Sequence, residues 1–333
     1  MHERGNCGRG DGGAGVKILF ITLSNIGDAI LALPVLSALK DNFPGAKIDV
    51  VVGPRPKEIF EKDPGVNRVF VYDKQTGLKT KMDFIRILRA QMYDLAVDMR
   101  TSLIPILIGA KKRSKLFSIN KTRAIHKRSV HLNKLKELGI ECRLRQNIFI
   151  DEEDRKSVAG LLEAKGVKEG DMVIGVSPSC RSLLKQWRTD GFIDVIKTLL
   201  NHGDFKIVLI GDSAQKNSSK KITDAIASEN LIDLTGETDL NQLFALIERM
   251  KLLLTCDSAA LHIACDLGVR VAAIFGPTDP GEYGPTGKDD VVIRKDLKCA
   301  PCKKPRCRFN HECMKDLSAQ DVIEKLIHTV GHV

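Results

Sequence analysis

The chain has 333 residues, 43% of them hydrophobic, and its 52 Lys and Arg outnumber 42 Asp and Glu for a formal net charge of +10. That length suits two domains of ordinary size with real cores, and no apolar run approaches the roughly 18 residues of a bilayer-spanning helix. Residues 103–110 come nearest and are broken by Pro105 and Gly109.

The first fifteen residues, MHERGNCGRGDGGAG, hold almost nothing apolar and are expected to be disordered or an upstream extension. They do not form a signal peptide, because Asn25, Gly27 and Asp28 interrupt the apolar residues that follow Lys17. A cytoplasmic protein is expected, and its nine cysteines then read as thiols or metal ligands before disulfides.

Residues 17–23 (KILFITL) read as a strand from their β-branched and aromatic content. Ser24-Asn25-Ile26-Gly27-Asp28 makes a tight strand-to-helix turn, and residues 29–39 keep helical spacing through Pro34. Asp28 stands at the mouth of that strand, as a helix N-cap or as a functional carboxylate. Strands are expected at 48–52, 68–72 and 95–98, and helices at 56–62, 81–91 and 130–138. Such alternation implies a parallel, doubly wound sheet. Nothing resembles GxGxxG or a Walker loop, so a dinucleotide cofactor or ATP-driven phosphoryl transfer lacks support.

Strand 95–98 runs into Met99-Arg100-Thr101-Ser102, so Arg100, and with it Arg113, can face an anionic acceptor. Residues 111–128 contain Lys111, Lys112, Arg113, Lys115, Lys121, Arg123, Lys127 and Arg128 with no acid between them. This run is a solvated face or the site of an anionic partner, such as nucleic acid, a membrane surface, or a phosphorylated and carboxylated substrate. Nucleic acid would call for interleaved aromatic residues, and only Phe117 is there, so it is not an expected partner.

Residues 151–165 read as a charged helix, and 166–171 (GVKEGD) as the domain boundary. A second sheet opens at 172–176, closed by Ser177-Pro178-Ser179, and a loop leads to Lys185-Gln186-Trp187-Arg188. Trp187 reads as a core residue at a domain edge. Strand 205–210 ends in Gly211-Asp212-Ser213 and is followed by a helix through Gln215 and Lys221; a strand at 231–234 precedes the loop 235–240 (TGETDL).

The most informative stretch comes next. Residues 251–255 (KLLLT) suit a buried strand, after which Ala260, Leu261, Ile263, Ala264 and Leu267 recur at helical spacing. Asp257 and Ser258 therefore sit where a strand ends and a helix begins, the edge at which open α/β sheets bind ligands. Ser258 can cap that helix, and the free N–H groups behind it suit a phosphate. Residues 271–275 (VAAIF) form another strand, ending in the sharp turn Gly276-Pro277-Thr278-Asp279-Pro280. Singly, these motifs are a capped helix and a turn.

Together, strand, D-S-x-x-x-H, helix, strand, G-P-T-D-P resembles the C-terminal signature of glycosyltransferase family 9, which includes the bacterial ADP-heptose:lipopolysaccharide heptosyltransferases. The opening strand–SxxGD–helix is similar as well, and the resemblance runs from about residue 17 to the C-terminus. It implies an α/β, GT-B architecture of two doubly wound Rossmann-like domains facing a central cleft. The division expected is 1–15 as an extension, 16–166 as the acceptor-binding domain and 167–333 as the donor-binding domain, with a Cys-rich tail at 299–313. The resemblance further implies an inverting transferase moving heptose from ADP-heptose to the inner core of lipopolysaccharide, with Kdo-lipid A or heptosyl-Kdo as acceptor.

On that basis Asp28 is the expected general base and Lys185 the expected contact of the donor's phosphates. Ser177, Gln215, Thr238, Asp257, Ser258, Ala259, His262, Gly276, Pro277 and Thr278 are expected around the donor, and Ser24, Arg100 and Arg113 around the acceptor. His262 reads equally as a packed helix residue. Two positions depart from the family pattern: Gln215 stands where an acid meets the ribose, and Ala259 follows D-S where close relatives often have Gly, which leaves the sugar open. The alternatives are another sugar nucleotide or acceptor, a sugar-nucleotide epimerase, and a non-catalytic binding module, which would have no need of Asp28.

Cys299, Cys302, Cys307 and Cys313 are spaced C-x2-C-x4-C-x5-C, with His311 nearby. Four thiols can hold a structural zinc ion, but simple thiols or a structural role without metal is the favoured reading, and no cofactor is required for catalysis. Residues 318–328 read as a helix that crosses back to the first domain. The expected partners are the nucleotide-sugar donor, a lipid-linked oligosaccharide acceptor and the anionic inner-membrane surface, for a monomer lying peripherally on its inner face.

Overall fold

The computed structural model describes residues 15–115, 125–142 and 146–330. In the first half, β1 (Lys17–Ile21), β2 (Lys47–Val52), β3 (Arg68–Val71), β4 (Leu95–Asp98) and β5 (Lys112–Arg113) form a parallel sheet in the order β3-β2-β1-β4-β5. In the second, β6 (Met172–Ser177), β7 (Phe205–Leu209), β8 (Leu231–Asp233), β9 (Leu252–Cys256), β10 (Arg270–Ile274) and β11 (Val291–Ile293) form a parallel sheet in the order β11-β10-β9-β6-β7-β8.

Helices cover both faces of such sheets, so the central strands are apolar nearly throughout. Leu252, Leu253, Leu254, Thr255 and Cys256 of β9 are all buried, as are Ile18, Leu19, Phe20 and Ile21 of β1. From β1 the chain winds out to β2 and β3, then returns to β4 and β5 on the other side. From β6 it likewise fills β7 and β8 before returning to β9, β10 and β11. Each sheet therefore has its crevice at the point of reversal, beyond the carboxyl ends of β1 and β4 in one and of β6 and β9 in the other.

Helix Ile26–Asn42 of the first half packs along helix Ala259–Leu267 of the second. One apolar core accordingly runs from Phe20 and Val50 through Ile30, Leu33, Leu261 and Ile263 to Val208 and Phe244. Helix Glu152–Ala164 lies on helix Leu240–Glu248, where Arg155 grips Glu248 with Nε and Nη2 at 2.8 and 3.0 Å.

Helix Ala319–Val330 does not cross back to the first half. It packs on helix Thr189–His202 and β11, because Val322 and Leu326 belong to the second-sheet core with Trp187 and Phe192. Trp187 is the buried centre of that core and donates from Nε1 to the Leu317 carbonyl at 3.1 Å. Residues 1–14 and the middle of the basic run, with Phe117, Lys121 and Arg123, lie outside the described residues.

Candidate active site

The crevice of the second sheet is built by the ends of β6 and β9. Lys185 Nζ lies 2.7 Å from Asp257 Oδ2, with the Asp257 side chain 4% exposed. Ser258 occupies the N-cap position of helix Ala259–Leu267, but its hydroxyl pairs with Thr255 Oγ1 at 3.0 Å and does not cap the helix. The expected side-chain cap is thus absent because Thr255, near the end of β9, captures the hydroxyl. The first N–H groups of the helix have no side-chain acceptor among the described residues, and the positive end of the dipole lies at the crevice.

The crevice of the first sheet opens at the end of β1. Asn25, not Asp28, is the N-cap of helix Ile26–Asn42, and Asp28 lies in the first turn, where Asn25 Nδ2 donates to its Oδ2 at 3.0 Å. Across the gap, Arg181 Nη1 donates to Asn25 Oδ1 at 3.4 Å.

These two crevices meet. A Cβ placed on Gly27 would come within 2.8 Å of His262 Cδ2, so only glycine allows the start of one helix to rest on the other. The sequence signatures SxxGD and DSxxxH are in contact at this point. Burial keeps His262 neutral and pushes its pKa down to about 4, against the pull of the Asp257 and Asp28 carboxylates. His131, on helix Lys127–Lys136, is likewise pushed down to about 4 by burial and by the neighbouring Lys134 ammonium.

Tyr283 completes the centre. Its ring centroid is 5.9 Å from Lys185 Nζ and 5.6 Å from Lys127 Nζ, one lysine from each half of the chain. Burial and the charges of Asp28, Glu282 and Asp257 raise its phenol pKa. Beside it, His126 Nε2 meets the Gly284 carbonyl at 3.1 Å, while its Nδ1 accepts from Arg128 N at 3.3 Å. That pattern is satisfied by a neutral ring, and burial lowers the His126 pKa accordingly.

A profile of glycosyltransferase family 9 (heptosyltransferase) matches residues 82–312. The chain belongs to this family. It is 30% identical over 278 residues to lipopolysaccharide heptosyltransferase 3 of Escherichia coli K12, covering 76% of this chain and 80% of that one. Its fold is similar to the family 9 glycosyl transferase of Veillonella parvula, with a TM-score of 0.84, 24% identity and coverage of 96% and 98% of the two chains. It is also similar to the E. coli ADP-heptose lps heptosyltransferase II, with a TM-score of 0.73, 22% identity and coverage of 95% and 99%. These structures carry the GT-B fold expected from the sequence.

The remaining residues of the family 9 reading are distributed around this centre. Ser177 is buried at the end of β6, in register with Thr255. Gln215 closes the turn after β7, with its Oε1 accepting from Asp212 N at 3.1 Å. Thr238 lies beyond β8, two residues after Gly236, whose φ of +69° and closeness to Ser213 demand glycine. Ala259 opens its helix with its Cα close under Gly27. Gly276 and Pro277 are held by the Cys-rich tail: a Cβ on Gly276 would strike Met314, and Lys303 N donates to Pro277 O at 2.9 Å. The hydroxyls of Ser179, Thr235 and Thr278 are buried without a hydrogen-bond partner among the described residues, as suits a ligand rich in polar groups.

On the acceptor side, Ser24 packs against Gly53. The Arg100 guanidinium stacks 5.0 Å from the Tyr72 centroid and has a buried Nη1 with no partner among the described residues. Arg113 is exposed on the edge strand β5 and is not brought to the centre. Lys111 pairs with Asp94 at 2.8 Å, Lys115 with Glu137 at 3.8 Å and Arg128 with Asp266 at 3.0 Å, using acids that are distant in sequence.

Cys299, Cys302, Cys307 and Cys313 are free and line one cavity of about 230 Å³ together with His311. Among the described residues, no group of three or more His, Cys, Asp or Glu is placed to hold a metal ion. The spacing that suggested a zinc knuckle spreads the thiols over the cavity wall.

Proposed function

We propose that this chain is an inverting glycosyltransferase that moves heptose from ADP-heptose to a hydroxyl of the lipopolysaccharide inner core, Kdo-lipid A or heptosyl-Kdo. The observation that carries the reading is the packing of Gly27, next to Asp28 in the first turn after β1, on His262 and Ala259 of the helix that follows Asp257, so that His262 lies in the field of both carboxylates while Lys185 pairs with Asp257. The family supplies the sugar and the nucleotide, through relatives named for heptose transfer and for ADP-heptose.

An acceptor hydroxyl is a poor nucleophile near neutral pH. As its oxygen attacks the anomeric carbon from one face, Asp28 takes its proton. The bond from that carbon to the β-phosphate oxygen breaks on the opposite face, and its electron pair leaves with ADP. Lys185 and the N–H groups behind Ser258 meet the growing negative charge. Single displacement inverts the anomeric centre. These groups supply the positive charge, so the reading calls for no divalent ion or other cofactor. Asp257 holds Lys185 in place, and the unpartnered hydroxyls of Ser179, Thr235 and Thr278 face the donor.

In this reading residues 16–166 bind the acceptor and 167–333 the donor. The free Nη1 of Arg100 suits a carboxylate or phosphate of the inner core. Among the described residues no helix is long and apolar enough to cross a membrane. Exposed Lys112 and Arg113 on β5 suit an anionic bilayer surface, in keeping with a protein lying on the cytoplasmic face of the inner membrane.

The test is ADP release from ADP-heptose with and without Kdo-lipid A or heptosyl-Kdo, in wild type and Asp28→Ala. Acceptor-dependent release that Asp28→Ala abolishes is expected. Conversion of the donor without any acceptor would mean an epimerase, and ADP binding with no turnover would mean another sugar or a binding module.

A further inference from the structure

Lys127 is the first residue of helix Lys127–Lys136 and belongs to the half of the chain that carries Asp28, yet its ammonium reaches Tyr283 in the other half. Its backbone is fixed there, because the preceding residue, His126, docks on the Gly284 carbonyl at 3.1 Å. Lys127 has no carboxylate partner among the described residues, whereas the other lysine at the Tyr283 ring, Lys185, is matched by Asp257 at 2.7 Å.

The charges at the centre do not balance for the proposed reaction. A nucleotide-sugar diphosphate carries about two negative charges and departing ADP about three at neutral pH. The Lys185–Asp257 pair is close to neutral as a unit, and a helix N-terminus contributes only about half a positive charge. One more full cation is needed where the phosphates leave, and the unpaired ammonium at the same aromatic ring is Lys127.

We propose that Lys127 is a second catalytic cation, which contacts the leaving diphosphate from the acceptor half of the molecule, and that Tyr283 is a positioning residue that holds the Lys127 ammonium by a cation–π contact. The inference rests on the donor reading above. It makes departure of ADP depend on the two halves being closed on each other, since only then do Lys127 and Lys185 reach one diphosphate. A cation that meets charge only as it develops acts on the transition state and on product more than on the bound donor.

The experiment compares the intact wild type, Lys127→Ala, Lys127→Arg, Tyr283→Leu and the Lys127→Ala/Tyr283→Leu double variant. Calorimetric affinities for ADP and for ADP-heptose are measured beside steady-state transfer, with thermal unfolding to check that each variant is folded. Lys127→Ala is expected to lower kcat and ADP affinity about tenfold, the scale of one partly screened charge contact, with a smaller loss for ADP-heptose and little change in acceptor KM. Lys127→Arg restores most of both. Tyr283→Leu lowers both in the same direction, and the double variant loses less than the sum of the two single losses, because Tyr283 acts in part through Lys127 and in part through Lys185 at the same ring.

ADP affinity unchanged within twofold in Lys127→Ala would overturn the proposal, as would a loss confined to acceptor KM. If wild type binds ADP but transfers nothing, the transferase reading fails while the comparison of ADP affinities still decides the role of Lys127. If wild type does not bind ADP, the donor site and this inference fall together.

Discussion

Lys185 and Asp257, separated by 72 positions in the chain, face each other at 2.7 Å across the crevice between β6 and β9. The carboxylate is almost wholly buried and its ammonium partner is at the mouth, so the lysine both screens the acid and presents charge to a ligand. Lys185→Ala removes both effects. Transfer should fall about 10²- to 10³-fold, as for loss of a preorganised charge-stabilising donor, and stability should fall by about 1–3 kcal/mol from the carboxylate left unpaired. Steady-state ADP release and urea unfolding of the same preparation check the two parts. A stability loss with intact turnover would make the pair structural only.

Asp28 gives the complementary expectation. Asp28 lies inside the first turn and not at the N-cap position, which is Asn25, so removing the carboxylate does not remove a cap. Asp28→Asn should therefore fold normally and bind ADP as wild type does, while kcat falls about 10²- to 10⁴-fold, the range of a lost general base. A variant that retained turnover, or lost ADP binding as well, would place the base elsewhere.

Gly27→Ala tests the contact that joins the two crevices. The new methyl would sit 2.8 Å from His262 Cδ2, with Ala259 close behind, and neither side is the free end of a flexible chain. Overpacking of this kind costs about 1–3 kcal/mol. Activity should fall more than stability, since the shift displaces Asp28 next door. His262→Ala in the same chain should recover part of both, and failure of that rescue would mean that the clash lies elsewhere.

What could be read from the sequence, and what could not, divides along a physical line. The strand ends that carry Asp28, Ser177, Asp257 and Gly276 were legible, because buried parallel strands are apolar runs and the polar residues that end them stand out. Strand β5, a pair of exposed cations, and strand β11 were not, nor were helices Thr189–His202 and Leu240–Glu248. Side-chain hydrogen bonding was also illegible: Ser258 turns to Thr255 and Gln215 to Asp212, local competitions that spacing does not resolve. The largest gap was Tyr283, with His126, His131 and Asp266. Their roles arise only when the halves pack together. The one signal available was a tyrosine three residues beyond Pro280 in the turn that follows β10.

Asp266 holds that packing. Its side chain is fully buried on helix Ala259–Leu267 and accepts from Arg128 Nη2 at 3.0 Å, Asn147 Nδ2 at 2.7 Å, and the backbone N–H groups of Asn147 and Ile148, both at 2.8 Å. Asp266→Asn would turn an amide donor toward donors, leaving at least one N–H and the Arg128 charge without an acceptor. A loss of about 3–5 kcal/mol is expected, as for a broken buried ion pair, and Arg128→Ala should cost less, because the backbone donors keep their acceptor. Equal losses in the two variants would assign the whole effect to the salt bridge.

The two buried histidines set how stability depends on acidity. His262 faces Asp257, Asp28, His126 and Lys185, and His131 faces Lys134, Asp28, Lys127 and His126; burial is the leading cause of both shifts, from the ordinary 6.5 to about 4. Because the folded pKa is lowered, the unfolded chain binds more protons between these values, so stability is full above about 6.5 and is lost as pH falls toward about 4. The slope is up to about 1.4 kcal/mol per pH unit for each histidine. Urea unfolding at a series of pH values should fall across this window and become flatter by one histidine's share in His131→Gln, which removes the titrating group from a surface helix. An unchanged slope in that variant would mean that His131 takes up its proton equally well in the folded and the unfolded chain.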